Sequence, residues 1–222
     1  MSEVIGEVEI PNRASGNFDT ARILMGLDPL HLSSFRDDWM PQLQTAVSEV
    51  RATCTNQHGV LDKPAFVAGL GNRNIQDGYW EWDRKWDLLQ NDLSKVFFAV
   101  ECDGAAQALM VVDNSKYVCR HDDHSGSGLI YIEFVAVAPW NRGALVTDPT
   151  YGGLGKVLVG TAVSLSIEEE FAGRIGLHSL PQSEGFYTNG CGMTDFGPDA
   201  GKEGLNYFEM TETQATVFLG DE

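Results

Sequence analysis

The sequence predicts an α/β fold, in which helices pack on a mixed β-sheet. Three stretches carry this prediction. Residues 129–138 form an apolar run rich in β-branched and aromatic residues, with Glu133 as its interior carboxylate, which is typical of a strand buried on both faces. Apolar residues recur at helical spacing around and beyond Gly155, and two apolar runs flank the turn Cys102-Asp103-Gly104, which indicates a hairpin.

The central strand and the helix that follows it have predicted ends. Pro139 has no backbone N–H to donate to a ladder, so the strand should end there. Gly173 is expected to end the helix, because glycine readily takes the left-handed conformation found just after a helix. The helix should direct an apolar face to the core that consists of Leu154, Val157, Leu158, Ala162 and Leu165.

The remaining segments extend the pattern to the order strand, two helices, three strands, helix, strand, helix, two strands. Residues 17–36 stay unassigned, residues 56–78 are predicted as a long loop or an embellishment near the active site, and residues 211–219 are an ambiguous tail. A capping box of Ser179 and Gln182 is expected to begin the helix that ends at Gly190. The other predicted strands are 4–10, 96–100, 105–112, 174–178 and 205–210, with one more after Gly190. The other predicted helices are 39–54 and 82–93, and the tryptophans of the second are assigned to core packing.

The turn Gly153-Leu154-Gly155 predicts an anion site, because a glycine turn at a helix start directs backbone N–H groups and the positive end of the helix dipole at one point. A Walker A loop needs Ser or Thr after its lysine, but Val157 follows Lys156, and Thr150 replaces the first glycine. A dinucleotide fingerprint needs Gly-x-Gly-x-x-Gly directly after the strand, and this turn lies well downstream of it without the third glycine. The Walker A interpretation therefore fails, and the dinucleotide fingerprint is a poor match.

A third pattern fits these residues. Glu133 to Pro139 follows Glu-x-x-x-Val-x-Pro, and Gly153-x-Gly155 then leads into an amphipathic helix. Further along, a short strand leads into a helix with Phe186-Tyr187 shortly before Gly190. In this order the motifs resemble the GNAT superfamily of N-acetyltransferases. The resemblance implies a mixed, mostly antiparallel sheet that is splayed at its central strand, with helices on both faces and acetyl-coenzyme A (acetyl-CoA) as the acyl donor.

The resemblance also implies roles for individual residues. Tyr187 matches the family tyrosine that protonates the leaving thiolate, Glu133 is the candidate general base, and His178 is a rival base. The loop 140–152 is longer than usual, so whether it keeps full cofactor affinity stays open. The backbone amides of Val135, Ala136 and Val137 are expected to contact the pantetheine arm and the thioester. The pyrophosphate is expected to contact the backbone amides of Gly153, Leu154, Gly155 and Lys156, together with the cations Lys156 and Arg142.

The net charge and the cysteine content restrict the kinds of binding partner and site that are expected. The chain has 222 residues and a net charge of −17, which argues against a nucleic-acid partner. The charge indicates either solubility and salt adaptation or an acidic groove for a cationic amine substrate. Four scattered cysteines without a Cys-x-x-Cys pair indicate neither a zinc site nor a disulfide framework. His121 and His124 lie on a Gly/Ser-rich segment that fixes no geometry, so no metal site is predicted.

The start of the sequence has neither the basic nor the apolar segment of a signal peptide, and no apolar run approaches the roughly 20 residues that span a bilayer. A reducing cytoplasm and no membrane partner are therefore expected. The organisation predicted is one domain over residues 1–222, with a catalytic core at about 79–222 and an embellished N-terminal part in 1–78.

The predicted function is acetyl-CoA-dependent N-acetyltransfer to a primary amine by direct attack on the thioester. A non-catalytic acyl-CoA-binding regulatory or scaffold module and a nucleotide-binding α/β protein remain alternatives. The acceptor, a small molecule or a protein, stays open, as does the oligomeric state, with a homodimer as one possible assembly.

Overall fold

The computed structural model describes residues 2–220, and within them eight strands form a single sheet with the order β1-β2-β3-β4-β5-β6-β8-β7. The strands are β1 (Glu3–Pro11), β2 (Phe18–Met25), β3 (Lys95–Cys102), β4 (Ala105–Asp113), β5 (Ile130–Val137), β6 (Ile175–Ser179), β7 (Thr194–Asp199) and β8 (Leu205–Met210). Neighbouring strands run antiparallel except β5 and β6, which are parallel. The predicted fold class, a mixed and mostly antiparallel sheet with helices on both faces, is confirmed.

The parallel pair β5 and β6 opens the sheet at its centre. Their ladder ends with the pair Ile132 and Leu177, and beyond it β5 continues to Val137 without a partner from β6. A strand buried in a continuous sheet would be paired on both edges, but the far half of β5 pairs only with β4. The sheet is therefore splayed at its central strand.

A register irregularity marks the point where this opening begins. Ile132 lies opposite Val112 and Phe134 lies opposite Val111, so Glu133 is the extra residue of a β-bulge on β5. A bulge turns side chains and backbone groups away from the regular ladder. It places Glu133 to Val135, which are only half buried, at the wall of the opening.

Helices cover both faces of the sheet. One face packs against α5 (Leu154–Glu168) and α6 (Glu212–Gly220), and its core includes Leu158 and Phe218. The other face packs against helices from the N-terminal half of the chain, with Trp39 and Trp82 among the fully buried side chains. These helices are α1 (Pro29–Ser33), a π-helical turn (Ser34–Trp39), α2 (Met40–Thr53) and α4 (Trp82–Leu89), while α3 (Lys63–Asn72) packs on α2.

The structure corrects several sequence-based element predictions. The unassigned residues 17–36 contain β2 and α1, the predicted loop 56–78 contains α3, and the ambiguous tail forms α6. α5 ends at Glu168, before the predicted stop at Gly173. A left-handed Glu170, with φ 61°, follows the helix, and the N–H of Phe171 donates to the carbonyl of Ser166 at 2.7 Å. This closure satisfies the last carbonyls without the glycine.

The predicted capping box of Ser179 and Gln182 is also wrong. Leu180 occupies the cap position, and no side chain caps that turn. The Gln182 side chain instead accepts the N–H of Gln76 at 2.8 Å, and the Gln76 side chain accepts the N–H of Gln182 at 3.0 Å. Gln182 thus joins the turn after β6 to the segment before α4.

Within residues 2–220, none of the helices combines the length and the apolar character needed to cross a bilayer.

Candidate active site

A cleft of about 750 Å³ lies where β5 and β6 separate. Its walls come from residues 131–137 of β5, from residues 177–180 at the end of β6, from residues 151–155 before and at the start of α5, and from residues of the 74–80 segment. Arg142, just after β5, and Gln182, just after β6, both hydrogen-bond to Asp77. The 74–80 segment therefore joins the two sides of the cleft.

The glycine turn forms one end of this cleft. Gly153 is the residue before α5 and has a φ of 76°, a conformation that favours glycine, and no side chain caps the helix. The first N–H groups of a helix have no partner within it, so the amides at the start of α5 are directed into the cleft end. A side chain at Gly155 would bring its Cβ to 3.0 Å from Cζ of Phe186. Gly155 thus lets the Phe186 ring approach the helix start.

Arg13 supplies a cation beside this turn. A Cβ added to Gly152 would lie 3.1 Å from the Arg13 Nε, and Arg13 lines the cleft. The turn between β1 and β2 holds it there, because the N–H of Arg13 donates to the carbonyl of Thr150 at 2.8 Å and the N–H of Gly152 donates to that of Pro11 at 3.0 Å. Arg13 was not among the predicted site residues. No local signal could find it, since its position depends on pairing between the N-terminal hairpin and a distant turn.

Of the two cations predicted to contact the pyrophosphate, Arg142 lines the cleft and Lys156 does not. Arg142 lines the cleft, but its Nη1 and Nη2 donate to both carboxylate oxygens of Asp77 at 2.8 and 2.7 Å, and its Nε donates to the carbonyl of Val137 at 2.7 Å. Its charge is thus already balanced. The Lys156 ammonium lies 5.8 Å from the ring centroid of Phe218 on α6, and Lys156 is not part of the cleft lining, so its side chain contributes nothing there.

The open edge of β5 presents backbone groups to the cleft. The N–H of Ala138 donates to the carbonyl of Gln107 at 2.9 Å, so alternate residues back along β5, including Ala136, turn their backbone groups toward β4. Val135 and Val137 turn theirs to the other side, where β6 has left the sheet. Two of the three predicted strand amides therefore face the cleft, and the third faces β4.

Tyr187 lies in the wall near the helix start. It belongs to a π-helical turn, Phe186–Gly190, and its ring lies 5.1 Å from that of Phe186 and 5.8 Å from that of Phe208 between centroids. The side chain is buried, and burial raises the pKa of the phenol above its usual value. The phenol is therefore protonated at neutral pH and can only donate its proton there.

Glu133 lines the cleft but is part of a buried ion-pair cluster. The Lys95 ammonium donates to Glu133 at 2.7 Å and to Asp113 at 2.6 Å. The exposed fractions of the three side chains are 6% for Lys95, 18% for Glu133 and 1% for Asp113. One ammonium thus bridges two carboxylates, and the three groups together carry a net charge of −1. The Lys95 ammonium therefore occupies one carboxylate oxygen of Glu133.

A second polar group crosses the cleft where the strands separate. Oη of Tyr131 lies 2.7 Å from Nδ1 of His178, and Nε2 of His178 lies 3.0 Å from Oδ2 of Asp199. Tyr131 and His178 line the cleft, while Arg120 contacts Asp199 at 2.7 Å. Burial, the largest influence, lowers the pKa of His178. Tyr131 and Asp199 were not predicted as site residues, because the three side chains come from three strands and meet only in the folded sheet.

Among residues 2–220, no group of three or more His, Cys, Asp and Glu side chains could hold a metal ion.

Solved structures of known proteins share this architecture, whereas no protein-family model and no curated protein matches the sequence. An N-acyl amino acid synthase from uncultured soil microbes is 10% identical, covering 90% of this chain and 95% of its own, with a TM-score of 0.50. A putative GNAT-family acetyltransferase from Desulfovibrio desulfuricans is 11% identical, covering 86% and 99%, with a TM-score of 0.46. Spermidine N-acetyltransferase from Vibrio cholerae, in complex with CoA and spermine, is 18% identical, covering 70% and 95%, with a TM-score of 0.44.

At such identities the likeness is one of fold. The chain resembles the GNAT superfamily, and the resemblance that the motifs predicted is confirmed at that level.

Proposed function

We propose that this protein is an acyl-CoA-dependent N-acyltransferase that transfers an acetyl group from acetyl-CoA directly to a primary amine. One observation carries the proposal. The cleft between the separated strands runs from a helix start without a side-chain cap, along a strand edge with outward-facing amides, to a cluster of polar side chains. An anionic group, an extended amide-bearing arm and a thioester require these features in this order.

The diphosphate end of the donor is assigned to the start of α5. The amides of Gly153, Leu154, Gly155 and Lys156 provide donors for phosphate oxygens, and the helix dipole favours negative charge there. Arg13 supplies the positive side chain at this end, because Arg142 is occupied by Asp77. In a chain with a net charge of −17, this local arrangement of backbone donors outweighs the unfavourable overall charge.

The amides of Val135 and Val137 are assigned to the pantetheine arm and to the thioester carbonyl. A carbonyl that is attacked by an amine develops negative charge on its oxygen, and a fixed N–H donor stabilises that charge without reorganisation. The β-bulge at Glu133 is the reason that such donors are available at this point of the strand.

Tyr187 is assigned as the general acid that protonates the departing thiolate. Its buried phenol holds its proton at neutral pH. A thiol, with a pKa near 8.5, is the stronger acid, so the phenol passes its proton as the C–S bond breaks and the Tyr187 phenolate then regains a proton from solvent. The acceptor amine must lose a proton in the same reaction. Glu133 is one candidate for that step, limited by its bond to Lys95, and the Tyr131–His178 pair is the other.

Two measurements test the proposal. In thermal unfolding, acetyl-CoA at about 100 times its dissociation constant should raise the Tm by roughly 5–10 °C, whereas ATP and NAD should leave it unchanged. Equal stabilisation by ATP would favour a nucleotide-binding protein instead.

Turnover is then followed as amine-dependent release of free thiol, with the acetylated product identified by mass spectrometry across a panel of aliphatic amines, arylalkylamines, polyamines and lysine peptides. Product from at least one amine is expected. Binding of acetyl-CoA with only slow thioester hydrolysis would overturn catalysis and indicate a non-catalytic acyl-CoA-binding module.

A further inference from the structure

The hydrogen-bonded chain Tyr131–His178–Asp199 has a fixed direction. Arg120 lies 2.7 Å from Asp199, and hydrogen bonds from Arg120, the largest influence, and from His178 lower the pKa of this carboxyl well below its usual range. The carboxylate can therefore only accept, so Nε2 of His178 carries a proton and donates it to Asp199. Nδ1 of the neutral imidazole is then the acceptor, and Tyr131 donates its hydroxyl proton to it.

The chain ends at the point where the strands part. Ile132 and Leu177 are the last residues paired between β5 and β6, so Tyr131 precedes that pair and His178 follows it. Ile132 and Leu177 belong to the core beneath α5. Because side chains alternate along a strand, Tyr131 and His178 project from the opposite face of the sheet.

That opposite face is the side of the cleft away from α5. Trp80 and Phe134, which also line the cleft, pack in the core beneath the N-terminal helices on this face. The donor's diphosphate end is assigned to the start of α5, so a second substrate would reach the thioester through the part of the cleft that lies between β5, β6 and the 74–80 segment. Tyr131 is buried, but it lines the cleft on this side and not at the start of α5.

We propose that Tyr131 and His178 form the proton relay that deprotonates the acceptor amine, with Asp199 as a positioning residue. The inference rests on the proposed function. As the amine nitrogen bonds to the thioester carbon and the C–S bond breaks, the nitrogen loses one proton to Oη of Tyr131. The Tyr131 hydroxyl proton passes to Nδ1 of His178, and Tyr187 protonates the thiolate. The imidazolium formed is stabilised by Asp199 and later releases its proton to solvent, while the Tyr187 phenolate regains a proton from solvent.

The charged surroundings allow His178 to work in this way. The groups that face it are the Asp199 carboxylate, the Arg120 guanidinium, the Lys202 ammonium and the Tyr207 ring, which lies 4.8 Å away between centroids. Burial and the two cations lower the pKa of the imidazole, while Asp199 raises it. The resting imidazole is therefore neutral at and above neutral pH, as a proton acceptor must be.

The experiment compares wild type with Tyr131→Phe and Asp199→Asn, which preserve side-chain shape. Tyr117→Phe is the matched control, because the Tyr117 ring stacks on that of Tyr131 at 3.7 Å but lies outside the relay and the cleft lining. We expect Tyr131→Phe to lower kcat about 100-fold or more, with the acetyl-CoA Kd and the Tm close to wild type. Tyr117→Phe should stay within about threefold in kcat. More than half of wild-type kcat in Tyr131→Phe would overturn the relay.

The pH profile separates positioning from structural support. The relay needs a neutral His178, so kcat/KM should rise with pH through the pKa of that imidazole in the wild type. Asp199 raises this pKa, so Asp199→Asn should move the inflection to lower pH as well as reduce the rate. An inflection that does not move in Asp199→Asn would contradict the assignment.

A third readout does not depend on activity. Nitrogen-15 NMR of the imidazole should show the proton of neutral His178 on Nε2, and a proton on Nδ1 would overturn the proposed direction of transfer.

A larger loss of kcat in Glu133→Gln than in Tyr131→Phe would assign the base to Glu133 and overturn the relay. A wild-type protein that binds acetyl-CoA and acetylates no amine would instead overturn the proposed function, and the relay with it.

Discussion

Replacing Lys95 by methionine tests the buried cluster that holds Glu133. The substitution keeps most of the side-chain volume but removes the cation from between Asp113 and Glu133, whose side chains are 1% and 18% exposed. Removing one partner of a buried ion pair costs about 3–5 kcal/mol, because a buried charge is left uncompensated. We expect a loss of this size in the free energy of unfolding at pH 7. It is a large share of the roughly 5–15 kcal/mol that stabilises a typical domain.

The pH dependence of the same variant follows from the pKa of Asp113. Burial raises it, but the hydrogen bond from Lys95 helps to lower it below its usual value in the wild type. A carboxyl with a lowered pKa stabilises the fold above its unfolded pKa near 3.8, and this stabilisation is lost as the pH falls through the folded value. Without Lys95, the two carboxylates repel each other and favour proton uptake. The deficit of Lys95→Met should therefore be smaller at pH 5 than at pH 7.

Urea unfolding followed by tryptophan fluorescence measures both effects. Lys63→Met is the control, because Lys63 is exposed at the start of α3 and should change stability by less than about 0.5 kcal/mol. The double variant Lys95→Met/Glu133→Gln, which removes one of the two carboxylates, should recover at least about 1 kcal/mol of the loss. A loss below about 1 kcal/mol in Lys95→Met, or no recovery in the double variant, would refute the reasoning.

Three further predictions concern the donor end of the cleft. Arg13→Gln should weaken acetyl-CoA binding by roughly five- to tenfold, because it removes a charged hydrogen bond that solvent partly screens, and the loss should be larger at low salt. Lys156→Gln should leave the affinity measured by calorimetry unchanged. Gly155→Asp should weaken binding at least about tenfold, near 1.4 kcal/mol, because it displaces the Phe186 ring and adds a negative charge, and Gly155→Ala separates the two causes. Tyr187→Phe should lower turnover by about 10²–10⁴-fold with nearly unchanged Tm and acetyl-CoA affinity.

Each of these predictions has an outcome that contradicts it. Equal affinities of the Arg13 and Lys156 variants would remove Arg13 from the diphosphate site. Wild-type affinity in Gly155→Asp would move the diphosphate away from the start of α5. If Tyr187→Phe keeps more than half of wild-type turnover when chemistry limits the rate, the proton must reach the thiolate from water instead.

The parts of the fold that were predicted correctly have local signals. β5 is a continuous apolar run ended by Pro139, and the β3–β4 hairpin turns at Asp103-Gly104, where both residues have positive φ values of 55° and 73°. Such features depend on the residues themselves and on their immediate neighbours. Boundaries within about two residues could therefore be predicted for these strands.

The missed elements depend on contacts with distant parts of the chain. β2 has an irregular mixture of polar and apolar residues, and pairing with β1 and β3 makes it a strand. α3 contains glycines that favour a loop, yet Gly69 lies where a Cβ would come 2.6 Å from Val50 on α2. Close packing of two helices therefore explains why this glycine stands within a helix.

Some features of the candidate site could likewise be predicted from local sequence, whereas others depend on contacts between distant residues. The glycine turn and the central strand were predicted, because the sequence places their glycines and carboxylate at characteristic spacing. The pairing of Glu133 with Lys95, of Arg142 with Asp77, and the position of Arg13 could not be predicted. Each joins side chains that are close only after the sheet has formed.

The backbone bonds between the N-terminal hairpin and the glycine turn have a consequence for local opening. Arg13 and Gly152 each donate an N–H across this contact, so neither amide can exchange with solvent unless the hairpin lifts from the turn. A ligand held by both sides would bind only the closed form and would slow exchange at the two amides by the same factor. Two residues that are far apart in the sequence would then report one shared opening event, in which the first two strands separate from the anion site.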